Sequence, residues 1–187
     1  KEAWTSRKLL HFPGPVYPVN PSIDEILGVK AYPSVLAIPG PVDHAIFSVR
    51  REVVPKVMAE CVEKGVRSVH IFTAGFSETG KEHGRRLEEE TIRLAKAGGV
   101  RVIGPNCMGL YCPASRLTFE PGFSAEPGSF AFMSQSGGNT GDVAHRAAAR
   151  GLHFSKAISY GNAADLQGGD FLDYFAADPE TQIVSAY

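Results

Sequence analysis

From Ala45 to Tyr187 the sequence alternates short apolar runs with helix-length amphipathic stretches, and this rhythm limits the possible folds more than any other feature. Ala45–Val49, Val66–Phe72, Val100–Ile103, Ser129–Met133, Phe154–Ser159 and Ile183–Tyr187 have the length and apolar content of buried strands. Between them, Glu52–Lys64, Glu82–Ala97, Thr140–Arg150 and Asp165–Ala176 read as helices, three of them closed by Gly65, Gly98-Gly99 and Gly151. Strands joined through helices imply right-handed βαβ crossovers and a parallel sheet. The fold predicted is α/β, with a doubly wound, nucleotide-binding type of domain first.

The rhythm fails in two places. Before it, Lys1–Leu10 reads as the end of a helix, and Val16–Val19 as a short strand ending at Asn20-Pro21. Ser22 is placed to cap an acidic turn over Ile23–Leu27, which Gly28 closes, and the proline-bearing Tyr32–Pro41 reads as a surface connection. Later, Pro113–Gly128 lacks periodicity and reads as a linker carrying two packed aromatics, Phe119 and Phe123. The expected organisation is therefore a first domain over 1–112, a linker over 113–128 and the start of a second domain over 129–187. A helix-like opening and an apolar final strand give both domains the look of incomplete ones.

Composition excludes several function classes. With 19 basic and 20 acidic residues and a net charge of −1, the chain offers no nucleic-acid or membrane surface. No apolar run approaches the roughly 18 residues of a membrane span, and the first residues do not resemble a signal peptide. Three cysteines, Cys61, Cys107 and Cys112, suit the reducing cytoplasm better than a disulfide framework, and their spacing is not that of a metal site.

Chemistry is expected at the loops that end the strands, because ligands bind at the carboxyl edge of open α/β sheets. Gly104-Pro105-Asn106 stops one strand sharply, and Ser134-Gln135-Ser136-Gly137-Gly138 joins another to a helix. Hydroxyls and backbone N–H groups at a helix N-terminus suit a phosphate or carboxylate. Cys107 has no histidine or cation placed beside it in sequence and reads as a packing residue. None of His11, His44, His70, His83, His145 and His153 sits in a catalytic motif; His44 and His70 fall in strands, His145 and His153 in or just after a helix. The cluster Lys81, Glu82, Arg85, Arg86, Glu88, Glu89 and Glu90 reads as a solvated helix face.

Taken in order, these loops resemble the ADP-forming acyl-CoA synthetases and, more distantly, the succinyl-CoA synthetase alpha subunit. The resemblance rests on Val16–Pro21, Gly28–Val35, Thr73–Phe76 with Glu78–Gly80, and Gly104–Gly109. It continues through Ser134–Gly138, Gly161–Asp165 and Asp178–Thr181, and so covers nearly the whole chain. It implies a CoA-binding Rossmann-like domain followed by a flavodoxin-like ligase domain. By position, Asn20, Pro21, Val49, Arg50, Phe72, Thr73, Ala74 and Asn106 would line the CoA site, and Ser134, Ser136 and Gly137 would hold the acyl phosphate or phosphate. CoA or acyl-CoA is then a substrate, exchanged with acid, ADP, phosphate and ATP through an acyl phosphate and a phosphohistidine. The nucleotide and magnesium would bind a partner ATP-grasp domain or subunit, in a homo- or hetero-oligomer. The family's opening glycine loop has no counterpart after Lys1, Ala74 stands where the succinyl enzyme has a glutamate, and the phosphorylated histidine would lie past Tyr187. Hence no catalytic residue is assigned within the chain. The alternatives are a non-catalytic CoA-sensing module and a dinucleotide-binding domain, the latter disfavoured because no Gly-x-Gly-x-x-Gly follows a strand.

Overall fold

The computed structural model describes residues 12–120 and 122–187. The helix expected over Lys1–Leu10 lies outside them.

The chain enters through a small hairpin, β1 (Glu25–Ile26) against β2 (Val29–Lys30), turned by Leu27 and Gly28 at φ 53° and 80°. Two successive left-handed residues make the tight turn that suits hairpin twist. The capped acidic turn expected over Ile23–Leu27 is thus replaced, because Gly28 supplies its positive φ to a hairpin rather than to a helix end. The expected strand at Val16–Val19 contributes a single bridge, Val19 to Tyr32. Tyr32–Pro41 is more than a surface connection: Ser34 caps a 3-10 turn over Val35–Ala37, and Val35 and Ile38 enter the first core.

That core lies under a parallel sheet of β3 (His44–Phe47), β4 (Ser68–Ile71) and β5 (Arg101–Ile103), in chain order. A 3-10 turn over Arg51–Val53 leads into α1 (Val54–Lys64), which returns the chain to β4. Its Pro55 occupies the first turn, where a missing N–H costs nothing, and Gly65 at φ 78° closes it with a bond to the Cys61 carbonyl. Its buried stripe is Val54, Met58 and Cys61. The charged α2 (Glu82–Ala97) packs beside α1 and buries Gly84, Thr91 and Ala95.

The second sheet has the order β6-β8-β7-β9, with β6 at Gly109–Tyr111, β7 at Pro127–Ser134, β8 at Phe154–Ser159 and β9 at Ile183–Ala186. β7, β8 and β9 are parallel, joined through α3 (Gly137–Ala148) and α4 (Gly168–Ala177). β6 is antiparallel to β8 and was not expected from the sequence, being three residues directly after a loop. The aperiodic stretch that follows it packs: Phe119 is buried, and Tyr111 and Phe123 meet edge to face at 4.9 Å.

The two sheets meet along β5. As an edge strand, β5 offers unpaired backbone groups, and the loop after β8 covers them. Val102 N–H donates to Asp165 Oδ2 at 2.8 Å, and Leu166 N–H donates to the Val102 carbonyl at 3.2 Å. Ile103 and Cys107 complete a core otherwise built from the second sheet, with Ala131, Met133, Ile158, Phe171 and Phe175. The α/β architecture, a Rossmann-like unit followed by a flavodoxin-like one, matches the sequence reading.

Candidate functional site at the carboxyl edges of the two sheets

Three of the anticipated loops are sewn together where β3, β4 and β5 end. The Thr73 hydroxyl donates to the Val49 carbonyl at 2.7 Å, and Asn106 N–H donates to the Thr73 carbonyl at 3.0 Å. Phe72 continues the register with an N–H bond to Phe47. Arg51 ties the first two loops again, donating to the Gly75 carbonyl at 2.9 Å. Arg50 and Ala74 are exposed beside this seam, so the edge presents a cation and a small residue to solvent. The Asn20-Pro21 turn is held separately, by Asn20 N–H on the Tyr32 carbonyl, with Asn20 Oδ1 accepting from Ser22 N–H at 2.9 Å.

Asn106 stands at φ 58°, a left-handed conformation that asparagine tolerates better than most side-chain-bearing residues. Beyond it, Cys107 is buried between the Ile71 and Ile103 carbonyls, each 3.6 Å from Sγ. Burial pushes its thiol well above the ordinary range, which removes it as a nucleophile and agrees with the packing role read from the sequence. His70 Nε2 lies 3.3 Å from the Cys107 carbonyl inside the protein. His145 and His153 face Glu120 and Glu126 at 3.7 and 3.4 Å.

The second loop caps α3. Ser136 is its N-cap, accepting from Asn139 N–H at 3.3 Å. Ser134 is fully buried: its hydroxyl accepts from Ser136 N–H at 2.9 Å and donates to the Ser136 carbonyl at 3.1 Å. Ser134 therefore shapes the loop, while the Ser136 hydroxyl and the N–H groups of the first helical turn stand at the α3 N-terminus. Gly137 is required by a neighbour, since any Cβ there would strike the Met108 side chain. Met108 follows Asn106 by two residues, so one short segment touches both loops. The first sheet's edge and the α3 N-terminus thus form adjoining parts of one surface.

The Lys81–Glu90 cluster is mostly a solvated face, with Glu82 paired to Arg85 and Arg86. Glu88 is the exception. It turns inward to accept from Ser77 and from Asn162, on the loop after β8. Sequence reading missed Asn162 and Glu88 as site-side residues: Asn162 lies in the Gly161–Asp165 stretch that carries the resemblance, but its pairing with Glu88, 74 positions away, has no local signal.

Residues 4–113 match the family model for the CoA binding domain, and residues 127–187 match the succinyl-CoA ligase like flavodoxin domain. The chain belongs to the CoA-binding domain family. It is similar to the alpha subunit of acetate–CoA ligase (ADP-forming) II of Pyrococcus furiosus, 44% identical over 174 residues, covering 93% of this chain and 38% of that one. A crystal structure from Pyrococcus horikoshii superposes with a TM-score of 0.92 at 38% identity, over 98% of this chain and 42% of that one. The acetyl-coenzyme A synthetase 1 of Ca. Korarchaeum cryptofilum, solved with phosphate and ADP, gives 0.90 at 38% identity, over 98% and 40%. The chain thus spans about two-fifths of the length of these relatives. Among the described residues, no helix is long and apolar enough to cross a membrane.

Proposed function

We propose that this chain is the CoA-binding part of an ADP-forming acid–CoA ligase, organised as a CoA domain over 1–112, a connection over 113–128 and the start of a ligase domain from 129. CoA lies along Val49-Arg50, Phe72–Ala74 and Asn106, flanked by Asn20-Pro21, with its thiol end toward Ser136 and Gly137. Arg50 pairs with a CoA phosphate, while the sewn backbone of the three loops forms the wall against which the pantetheine arm rests. At the α3 N-terminus, phosphate attacks the thioester carbonyl. The C–S bond breaks, the thiolate leaves as CoA, and an acyl phosphate remains. Helix N–H groups and the Ser136 hydroxyl hold the phosphate and stabilise the oxyanion that develops on the thioester carbonyl oxygen in the tetrahedral intermediate. Transfer of the phosphoryl group to ADP passes through a histidine outside this chain and needs an ATP-grasp domain or subunit, where nucleotide and magnesium bind. The cysteines, all free thiols, suit a cytoplasmic enzyme.

The observation that carries this reading is the joining of the β3, β4 and β5 loops into one edge directly beside the α3 N-terminus. Calorimetric titration of the chain with CoA, NAD and ADP tests it. CoA alone should bind, and replacing Asn106 and Ser136 together with alanine should weaken CoA and phosphate at least tenfold. Preference for NAD would make this a dinucleotide-binding domain instead.

A further inference from the structure

The Asn162 side chain occupies a place that the reading of the CoA edge does not use. It belongs to the loop after β8, in the second sheet, yet every polar partner of its amide group belongs to the first unit. Nδ2 donates to Glu78 Oε2 at 2.7 Å and to Glu88 Oε2 at 2.8 Å, with Ser77 Oγ at 3.3 Å. Oδ1 accepts from Asn106 Nδ2 at 3.3 Å. An amide nitrogen has two hydrogens, and the two short contacts to carboxylates take both. Ser77 is served otherwise, donating its own proton to Glu88 at 2.9 Å.

Each partner controls a loop of the CoA edge. Glu78 accepts the N–H groups of Gly75 and Phe76, and so holds the turn that follows Phe72–Ala74. Burial pushes its carboxyl up, but the hydrogen bonds from Asn162 and these N–H groups outweigh it and keep Glu78 ionised. Asn106 is the end of the β5 loop, already bonded to Thr73. The Asn162 backbone reinforces the arrangement, donating to the Pro105 carbonyl at 3.0 Å. Among the described residues, neither Glu78 nor Glu88 has a lysine or arginine within salt-bridge distance. The neutral amide is what reconciles the two carboxylates.

We propose that Asn162 is a positioning residue for CoA: it clamps the Glu78 turn and the Asn106 side chain together, so the CoA edge of the first sheet is set by a residue of the second. This rests on the CoA reading above, and the test separates the two. CoA affinity is measured by calorimetry for the parent chain, Asn162→Ala, Asn106→Ala and the double variant, and amide hydrogen exchange is followed at Gly75 and Phe76 without ligand. Asn162→Ala should bind CoA about tenfold more weakly, and the double variant should lose far less than the product of the single losses. Gly75 and Phe76 should exchange at least fivefold faster while Val69, in β4, is unchanged. Losses that multiply, or exchange that does not move, overturn the clamp. If the parent chain does not bind CoA, the CoA reading and with it the positioning role fall, and exchange alone reports whether the clamp exists. Should Asn162→Ala fail to fold, Asn162→Ser removes the same side-chain bonds with a smaller change of shape and should move both readouts in the same direction.

Discussion

Gly161 is where the demands on a single residue are most severe. It sits at φ 55°, and a Cβ there would collide with the carbonyl oxygens of Pro105 and Asn106. The loops that carry the site touch through bare backbone at this point. Gly161→Ala combines a left-handed backbone with overpacking against groups that cannot rotate away, at a cost of about 2–4 kcal/mol. Urea denaturation should show that loss, and a change below about 0.5 kcal/mol would mean the loops separate freely. The cysteines make a second prediction at this scale. Burial pushes the Cys61 thiol up to about 12 and Cys107 higher still, whereas Cys112 is only half-buried. Iodoacetamide on the native chain should therefore modify Cys112 first, and the other two only after denaturation, as read by peptide mass. Early labelling of Cys107 would contradict its packing role.

At the scale of elements, β3 holds a titrating group in its first position. His44 bonds Ser68, its register partner on β4, at 2.8 Å, and its Nε2 is buried without a hydrogen-bond partner among the described residues. Burial lowers its pKa from 6.5 to about 4. Above pH 6.5 both folded and unfolded chains carry it neutral. Below that, the unfolded chain takes up a proton that the folded chain refuses, so stability falls between pH 6.5 and about 4, by about 3 kcal/mol in total. Denaturation at pH 7 and pH 5 should show this residue's share, about 2 kcal/mol, disappearing in His44→Gln; an unchanged slope would place the ring in solvent. This element was readable in advance, as were β4, β5, β7, β8, β9 and the four helices, because each apolar run is set off by an amphipathic stretch of ten or more residues. The β1–β2 hairpin, the 3-10 turn at Val35 and β6 were not. Two or three residues carry no period, and Gly28 ends a helix as well as it turns a hairpin. Site loops were visible through their glycines and Asn106, but the Asn162 contacts depend on packing between segments 74 and 84 positions apart.

For the molecule as a whole, the question is whether the two sheets unfold as one. Their boundary holds a shared core and a covered strand edge, and Asp165 is the group that does the covering. Its carboxylate, 10% exposed, accepts Val102 N–H at 2.8 Å and Arg101 Nε at 3.1 Å, in place of the carbonyl that a neighbouring strand would supply. Alanine at this position leaves the Val102 N–H without an acceptor at a buried residue, which costs about 1–3 kcal/mol. That loss falls on the contact between the sheets and spares the interior of each. In scanning calorimetry the parent chain should unfold in a single transition and Asp165→Ala in two, with a calorimetric enthalpy exceeding the van't Hoff value. The lower transition should belong to the smaller first sheet, whose edge has been uncovered, and CoA should raise that transition selectively by mass action. If both transitions remained fused, the shared core around Ile103 and Cys107 would by itself bind the sheets into one cooperative unit. In that outcome Asp165 would be a local cap on β5, and the Asn162 clamp, lying on the same loop, would act within a body that never comes apart.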